Sequence, residues 1–255
     1  SPSMAVTSAS TTPTPSATAV PLNILGDIRT LQTHDPTPTG NAICGLVDLF
    51  DFPVDPPDAA NVSRGGSDFG LFRNRFDKYH AGEDWSGPSG RPNLGTPVYS
   101  IGHGLVTYAQ PLGWGRDQGV VIVQHTFADG RKILSFYGHL DPDSVLVKPG
   151  NCVQRGDLVG LIGQPRGFPH LHFETRTQAP YQTLTGYWPE DPTTQGWLWP
   201  SQQIWAARVG AIPGVSWVRP FTNSGSQAIG PIDDDSYLIL ETGELLRFDL
   251  ATGRT

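Results

Sequence analysis

The 255 residues carry only 16% charged side chains and a formal net charge of −7, which argues against a surface built to neutralise nucleic-acid phosphates. Thirty glycines and 24 prolines point to turn-rich β structure rather than a helical bundle. The chain is long enough to bury one large core or two small ones, and no apolar run approaches the ~20 residues of a membrane span.

Seventeen of the first twenty residues are Ser, Thr, Pro or Ala, so residues 1–20 read as a disordered linker that cannot offset its ordering cost by burial. The stretch lacks the basic start and apolar core of a signal peptide. An export signal or anchor is therefore expected upstream, a plain cytoplasmic tail being the other reading. Residues 21–64 form an irregular lead-in with several Asp and Pro. From 65 to 200 short strands are expected, broken by glycine turns: 96–100, 104–109, 119–124, 132–137, 145–147, 157–162 and 170–175. The pair 119–124 and 132–137 flanks Ala128-Asp129-Gly130, a hairpin signal. This pattern predicts a mainly β fold, an antiparallel sandwich or half-open barrel. Five of the seven Trp fall in 183–218 and read as packing. Residues 201–255 are a C-terminal extension, with one short helix at 201–209 and a hairpin of 236–239 with 245–248. Cys44 and Cys152 are not in a CxxC pair, so a cysteine zinc site is not expected. They fit two free thiols or one long-range disulfide, the latter favoured by an extracytoplasmic setting.

The chemistry lies in the histidines. In His170-Leu171-His172, followed by Phe173 and Glu174, alternation on an extended strand sends both imidazoles to one face, with Glu174 behind them. His80 and Asp84, in His80-Ala81-Gly82-Glu83-Asp84, also share a face, and Gly82, Gly87 and Pro88 favour a strand end or tight loop over a helix. A hydrolytic zinc takes three protein ligands and leaves a place for water. One histidine of the 170/172 pair would complete such a set with His80 and Asp84. His139, in Tyr137-Gly138-His139-Leu140, and the second imidazole of the pair are candidates for proton transfer and oxyanion stabilisation.

In motif and order the chain resembles the lysostaphin-like (LytM-type) zinc metallopeptidases. The resemblance rests on His80-x-x-x-Asp84, Gly95-Thr96-Pro97-Val98-Tyr99, Tyr137-Gly138-His139-Leu140, Val147-Lys148-Pro149-Gly150, Gly156-Asp157 and His170-Leu171-His172-Phe173-Glu174, and it covers about residues 79–176. It implies His80, Asp84 and His172 as ligands of one Zn2+ per chain, and His139 and His170 as catalytic groups outside the ligand set. It further implies an antiparallel β core with a groove between loops. The activity implied is that of an endopeptidase, secreted or in the cell envelope, cutting peptide cross-links of bacterial peptidoglycan. A non-catalytic module of the same fold, binding peptidoglycan or activating a partner hydrolase, is the alternative; such modules usually lose ligands, and here all five positions are present. One departure is the approach to the H-x-H motif. Where the family has a longer Gly/Ser/Thr-rich loop, this chain has Gly163-Gln164-Pro165-Arg166-Gly167-Phe168-Pro169, which should reshape a groove wall.

Other positions carry plainer expectations. His125, His103 and His34 read as packing or loop residues. Glu83 and Glu174 could donate to a metal, although Glu174 suits a hydrogen bond to an imidazole better. Tyr137 is a candidate groove residue. Arg166 either meets a substrate carboxylate or is solvated. Asp51, Asp55 and Asp58 are lead-in carboxylates that could reach a zinc or simply lie exposed.

Overall fold

The computed structural model describes residues 44–54, 62–65, 69–88, 93–177, 185–210, 227–233, 236–241 and 244–249. The linker 1–20, lead-in residues 21–43 with His34, Asp55, Asp58 and Trp217 lie outside the described residues.

The architecture is mainly β and antiparallel. Its strands are β1 (Val62–Gly65), β2 (Phe72–Arg73), β3 (Lys78–His80), β4 (Glu83–Pro88), β5 (Pro97–Tyr99), β6 (Gly104–Gln110), β7 (Gly119–Thr126), β8 (Lys132–Leu140), β9 (Cys152–Val153), β10 (Leu158–Leu161), β11 (Leu171–Arg176), β12 (Tyr187–Trp188) and β13 (Trp197–Leu198). One eight-stranded sheet runs β1-β4-β11-β8-β7-β6-β9, with β13 paired to the end of β11. Small sheets β10-β5 and β12-β3-β2 complete the body, and no barrel closes among the described residues.

The sheet is buried on both faces at its centre because β7 reads Gly-Val-Val-Ile-Val-Gln-His-Thr, a β-branched run with side chains alternating between two apolar layers. Val121 and Val123 enter the main core with Trp85, Tyr137 and Phe173. Val120 and Ile122 go to the opposite face with Leu134 and Phe136. The same alternation along β11 sends Leu171 and Phe173 into the main core, which leaves His172, Glu174 and Arg176 for the other face. That face carries the candidate site.

Packing extends beyond residues 65–200 at both ends. Phe50, Phe52 and Val54 of the lead-in are buried in the main core, as is Ile204 of the helix Pro200–Gly210. Asp51 accepts from Arg208 Nη1 at 2.8 Å and pairs with Arg155 at 3.0 Å. This buried ionic joint fixes lead-in, helix and turn together, so Asp51 is a core anchor and not a carboxylate reaching for a metal. Residues 145–147 are not a strand. The Lys148 N–H donates to Asn151 Oδ1, so the chain turns into β9, and it is β9 that pairs with β6. The C-terminal hairpin forms as β15 (Ser236–Glu241) with β16 (Glu244–Asp249), joined by β14 (Gln227–Asp233) into a separate three-stranded sheet.

Cys44 and Cys152 are joined, with Cα atoms 5.1 Å apart and a sequence separation of 108. A cross-link closing so long a loop restricts the unfolded chain and is worth on the order of 3–5 kcal/mol. The Cys44→Ser/Cys152→Ser variant should lose that much unfolding free energy, read as a lower urea midpoint. A midpoint equal to that of the oxidised protein would contradict the estimate.

Candidate metal centre and groove

Three elements bring the site together. His80 closes β3 and Asp84 is the second residue of β4, separated by the turn at Ala81-Gly82. Asp84 lies directly opposite His172 in the β4–β11 register, so these side chains meet as a cross-strand pair. Gly82 has no room for a side chain: a Cβ there would come within 2.8 Å of His172 Nε2 and of Glu174 Cγ.

His172 Nδ1 lies 3.1 Å from His80 Nε2 and 3.2 Å from Asp84 Oδ1, and His80 Nε2 lies 3.4 Å from Asp84 Oδ1. Three donors bound tetrahedrally to one zinc at ~2.0–2.1 Å stand ~3.3 Å apart, so the triangle has the size a zinc requires. Among the described residues, this is the group of His, Asp, Glu or Cys side chains arranged to hold a metal. The tautomer also fits. The His172 Nε2–H donates to Glu174 Oε1 at 2.9 Å, which leaves the Nδ1 lone pair facing His80 and Asp84.

Glu174 is itself held from behind, accepting from Arg176 Nε at 2.5 Å and Trp197 Nε1 at 2.6 Å. Burial alone would raise its pKa, but the Arg176 charge and His172 keep it lowered and the carboxylate ionised. The Glu174→Gln substitution should therefore weaken zinc retention about 10–100-fold, measured by competition with a chromophoric chelator. Unchanged affinity would mean that the hydrogen bond does not prepare His172. Asp84 behaves similarly. Burial opposes its charge, yet hydrogen bonds from His170, His172 and His80 hold its carboxyl well below the usual range.

His139 and His170 stand beside this triangle with ring centroids 4.6 Å apart. His139 owes its direction to a β-bulge. The β7–β8 register steps from Gly119↔Leu140 to Val120↔Gly138, leaving His139 unopposed, and its φ of 63° is left-handed. Bulges of this kind re-aim a side chain, at a conformational cost on the order of 1–3 kcal/mol. The His139 Nδ1–H donates to the Asp117 carbonyl at 2.8 Å, so Nε2 is the nitrogen that faces the site. Burial, with His170 and His172 nearby, pushes its pKa down to about 4, and the ring is neutral at pH 7. His170 precedes β11 rather than lying in it, and its Nδ1–H donates to the Phe168 carbonyl at 2.7 Å. Its Nε2 is 3.4 Å from Asp84 Oδ1. Burial lowers its pKa, but the Asp84 hydrogen bond and charge outweigh this and raise it.

These five residues line a groove of about 620 Å³ whose walls include Arg75, Phe76, Trp114, Arg166 and Tyr187. The Trp114 ring packs 4.8 Å from His139 and 5.4 Å from His172, over Gly138, where a Cβ would meet the indole at 2.5 Å. Tyr187 pairs with His80 in the β12–β3 register, with ring centroids 5.2 Å apart. Sequence reasoning did not single out Trp114, Asp117 or Tyr187. The one local signal was an aromatic bracketed by Gly113 and Gly115 in the link between two strands.

Other candidates lie elsewhere. Tyr137 is fully buried on the main-core side and its hydroxyl accepts from Ile101 N, so it does not line the groove. Glu83 points away from Asp84 and accepts from Trp85 Nε1, Ser201 N and the Ser201 hydroxyl. It anchors the helix rather than a metal. His125 is buried between the His103 carbonyl and Ser135 Oγ, and burial depresses its pKa to about 4. His103 is itself buried, near Asp48. Arg166 is engaged with Asp117.

An antiparallel sheet thus bears a two-histidine, one-carboxylate triangle that could hold a metal ion, with two further imidazoles beside it. Residues 78–183 match the family described as Peptidase family M23. Peptidoglycan DD-endopeptidase ShyA of Vibrio cholerae serotype O1 is 35% identical over 97 residues, covering 37% of this chain and 20% of that protein. ShyB of the same organism is 34% identical over 105 residues, again covering 37% and 20%. The chain thus spans about a fifth of the length of these curated relatives. Among solved structures, a zinc-containing peptidase from Vibrio cholerae is 28% identical with a TM-score of 0.38, covering 51% of this chain and 37% of that one. The catalytic domain of lysostaphin from Staphylococcus simulans is 25% identical with a TM-score of 0.37, covering 52% and 91%.

Proposed function

We propose that this protein is a zinc-dependent endopeptidase that hydrolyses peptide cross-links of bacterial peptidoglycan, acting outside the cytoplasm. The observation that carries the reading is the convergence of His80 Nε2, Asp84 Oδ1 and His172 Nδ1 at the floor of a groove, with two carbonyl-oriented imidazoles beside them. The match of residues 78–183 to Peptidase family M23 supports peptide-bond hydrolysis, and the names of the two Vibrio relatives support the substrate class. The Cys44–Cys152 disulfide fits an oxidising compartment. No helix among the described residues is long and apolar enough to cross a membrane.

In this reading His80, Asp84 and His172 hold zinc, which supplies Lewis acidity to polarise the scissile carbonyl and acidify water. His139 is neutral at pH 7 and presents Nε2 as a proton acceptor. His170, whose pKa Asp84 raises, presents a donor to the oxygen that gains charge in the transition state. Trp114 and Tyr187 wall the groove and shield the polar cluster from bulk water, which strengthens its electrostatics. The retention of all five groups in one constellation favours catalysis over a purely binding module.

Digestion of peptidoglycan of defined cross-link, followed by mass spectrometry of the released peptides, tests the activity. The expected products carry one new amine and one new carboxylate at a former cross-link; a chelator abolishes them and added zinc restores them. Binding without any cleavage by zinc-loaded protein would favour the non-catalytic module instead.

A further inference from the structure

The loop 163–169 is tied to the rest of the domain at three points. At its start, Gly163 N–H donates to the His139 carbonyl at 2.8 Å. At its end, the Pro169 carbonyl accepts from Asn93 Nδ2 at 3.0 Å. Its middle is held by Arg166, whose Nε lies 3.1 Å from both carboxylate oxygens of Asp117 and whose Nη2 also contacts Oδ2. The Arg166 backbone N–H adds a bond to Asp117 Oδ1 at 3.2 Å. This is a forked, bidentate pairing, the geometry that guanidinium and carboxylate favour.

The same Asp117 supplies, through its backbone carbonyl, the acceptor for the His139 Nδ1–H. Two residues beyond Arg166, the Phe168 carbonyl accepts the Nδ1–H of His170. Asp117 ends the short turn Gly115–Asp117; Gly115, which opens it, and Gln118, which follows it, have left-handed φ values of 58° and 75°. The turn's own backbone bonds, such as Trp114 N–H to Gln118 O at 2.9 Å and Asp117 N–H to Trp114 O at 3.1 Å, are local and do not tie it to the loop 163–169. We infer that Asp117 and Arg166 are positioning residues: their ion pair locks together the two segments whose backbone carbonyls aim His139 and His170. The inference rests on the proposed peptidase reading and adds the device that keeps its two imidazoles in mutual register.

The pair is partly open to water, with 72% of the Arg166 and 24% of the Asp117 side chain exposed, and exposed pairs contribute little to global stability. The effect of losing it should therefore fall on placement. Misplacing a reacting group by about an ångström costs on the order of 10²-fold in rate. Arg166→Ala should lower kcat about 10–100-fold with KM changed less than about twofold, with melting temperature and zinc content unchanged. Asp117→Ala, which keeps the carbonyl but removes the backbone bond as well, should lower kcat further. Arg166→Lys should recover part of the loss. A second readout does not need substrate or metal. In metal-free protein labelled with 15N-histidine, the Nδ1–H signals of His139 and His170 should exchange faster with water in both alanine variants. A loss confined to KM would assign Arg166 to substrate binding and overturn the proposal, as would unchanged kcat or unchanged Nδ1–H exchange. Absence of hydrolysis by the wild type would count against the peptidase reading alone, since the exchange measurement still decides the positioning role.

Discussion

Asp84→Ala and His172→Ala are each expected to lose bound zinc and peptide-bond hydrolysis together. The three donor atoms stand 3.1–3.4 Å from one another, and removing one leaves two donors around an ion that needs three from the protein. The Lewis-acid contribution is several kcal/mol, which corresponds to a rate loss on the order of 10³-fold or more. The two variants differ in a useful way. Asp84→Ala also takes the acceptor from His170 Nε2, whereas His172→Ala frees the buried Glu174 carboxylate from one of its partners. Zinc content per chain is therefore the decisive measurement, with circular dichroism as a control for folding. Full metal occupancy in either variant would contradict the ligand set.

His139→Ala should behave in the opposite way with respect to the metal. Its imidazole is outside the donor triangle and held by the Asp117 carbonyl, so zinc content should remain at the wild-type level. Removal of a positioned acid or base typically costs 10²–10⁴-fold, and kcat should fall by roughly that factor. A variant that loses zinc in parallel with activity would place His139 in the ligand set. A variant with wild-type kcat would remove it from the mechanism. The substitution also relieves nothing at the bulge, because Ala is no better suited than His to a φ of 63°.

What could be read from sequence, and what could not, follows from how local the signals are. The strands β7 and β8 were legible because β-branched residues run on either side of Ala128-Asp129-Gly130, and a hairpin is a short-range object. The order of the motifs singled out five positions as candidates, and the fold brings those five side chains into one groove. The lead-in was not legible as core. Its Phe50, Phe52 and Val54 alternate with Asp51 and Pro53, and their partners lie far along the chain. Asp51 looked like an exposed carboxylate because its partners, Arg155 and Arg208, are more than a hundred residues away. The bulge at His139 depends on a cross-strand register, which no local pattern encodes. Trp114 and Tyr187 reach the groove by the same kind of long-range placement. Glu174 was legible as a partner for an imidazole because it lies two residues from His172 on one strand face, whereas the partner of Glu83, Ser201, lies 118 residues away.

The central claim is the division of labour within His170-Leu171-His172, one imidazole on the metal and one beside it. Diffraction from crystals of the zinc-loaded protein, recorded on both sides of the zinc absorption edge, tests it directly. The account predicts one anomalous peak per chain, within ~2.0–2.2 Å of His80 Nε2, Asp84 Oδ1 and His172 Nδ1, with His139 and His170 outside bonding distance. A peak bonded to His170 in place of His172, or no peak within the triangle, would contradict it.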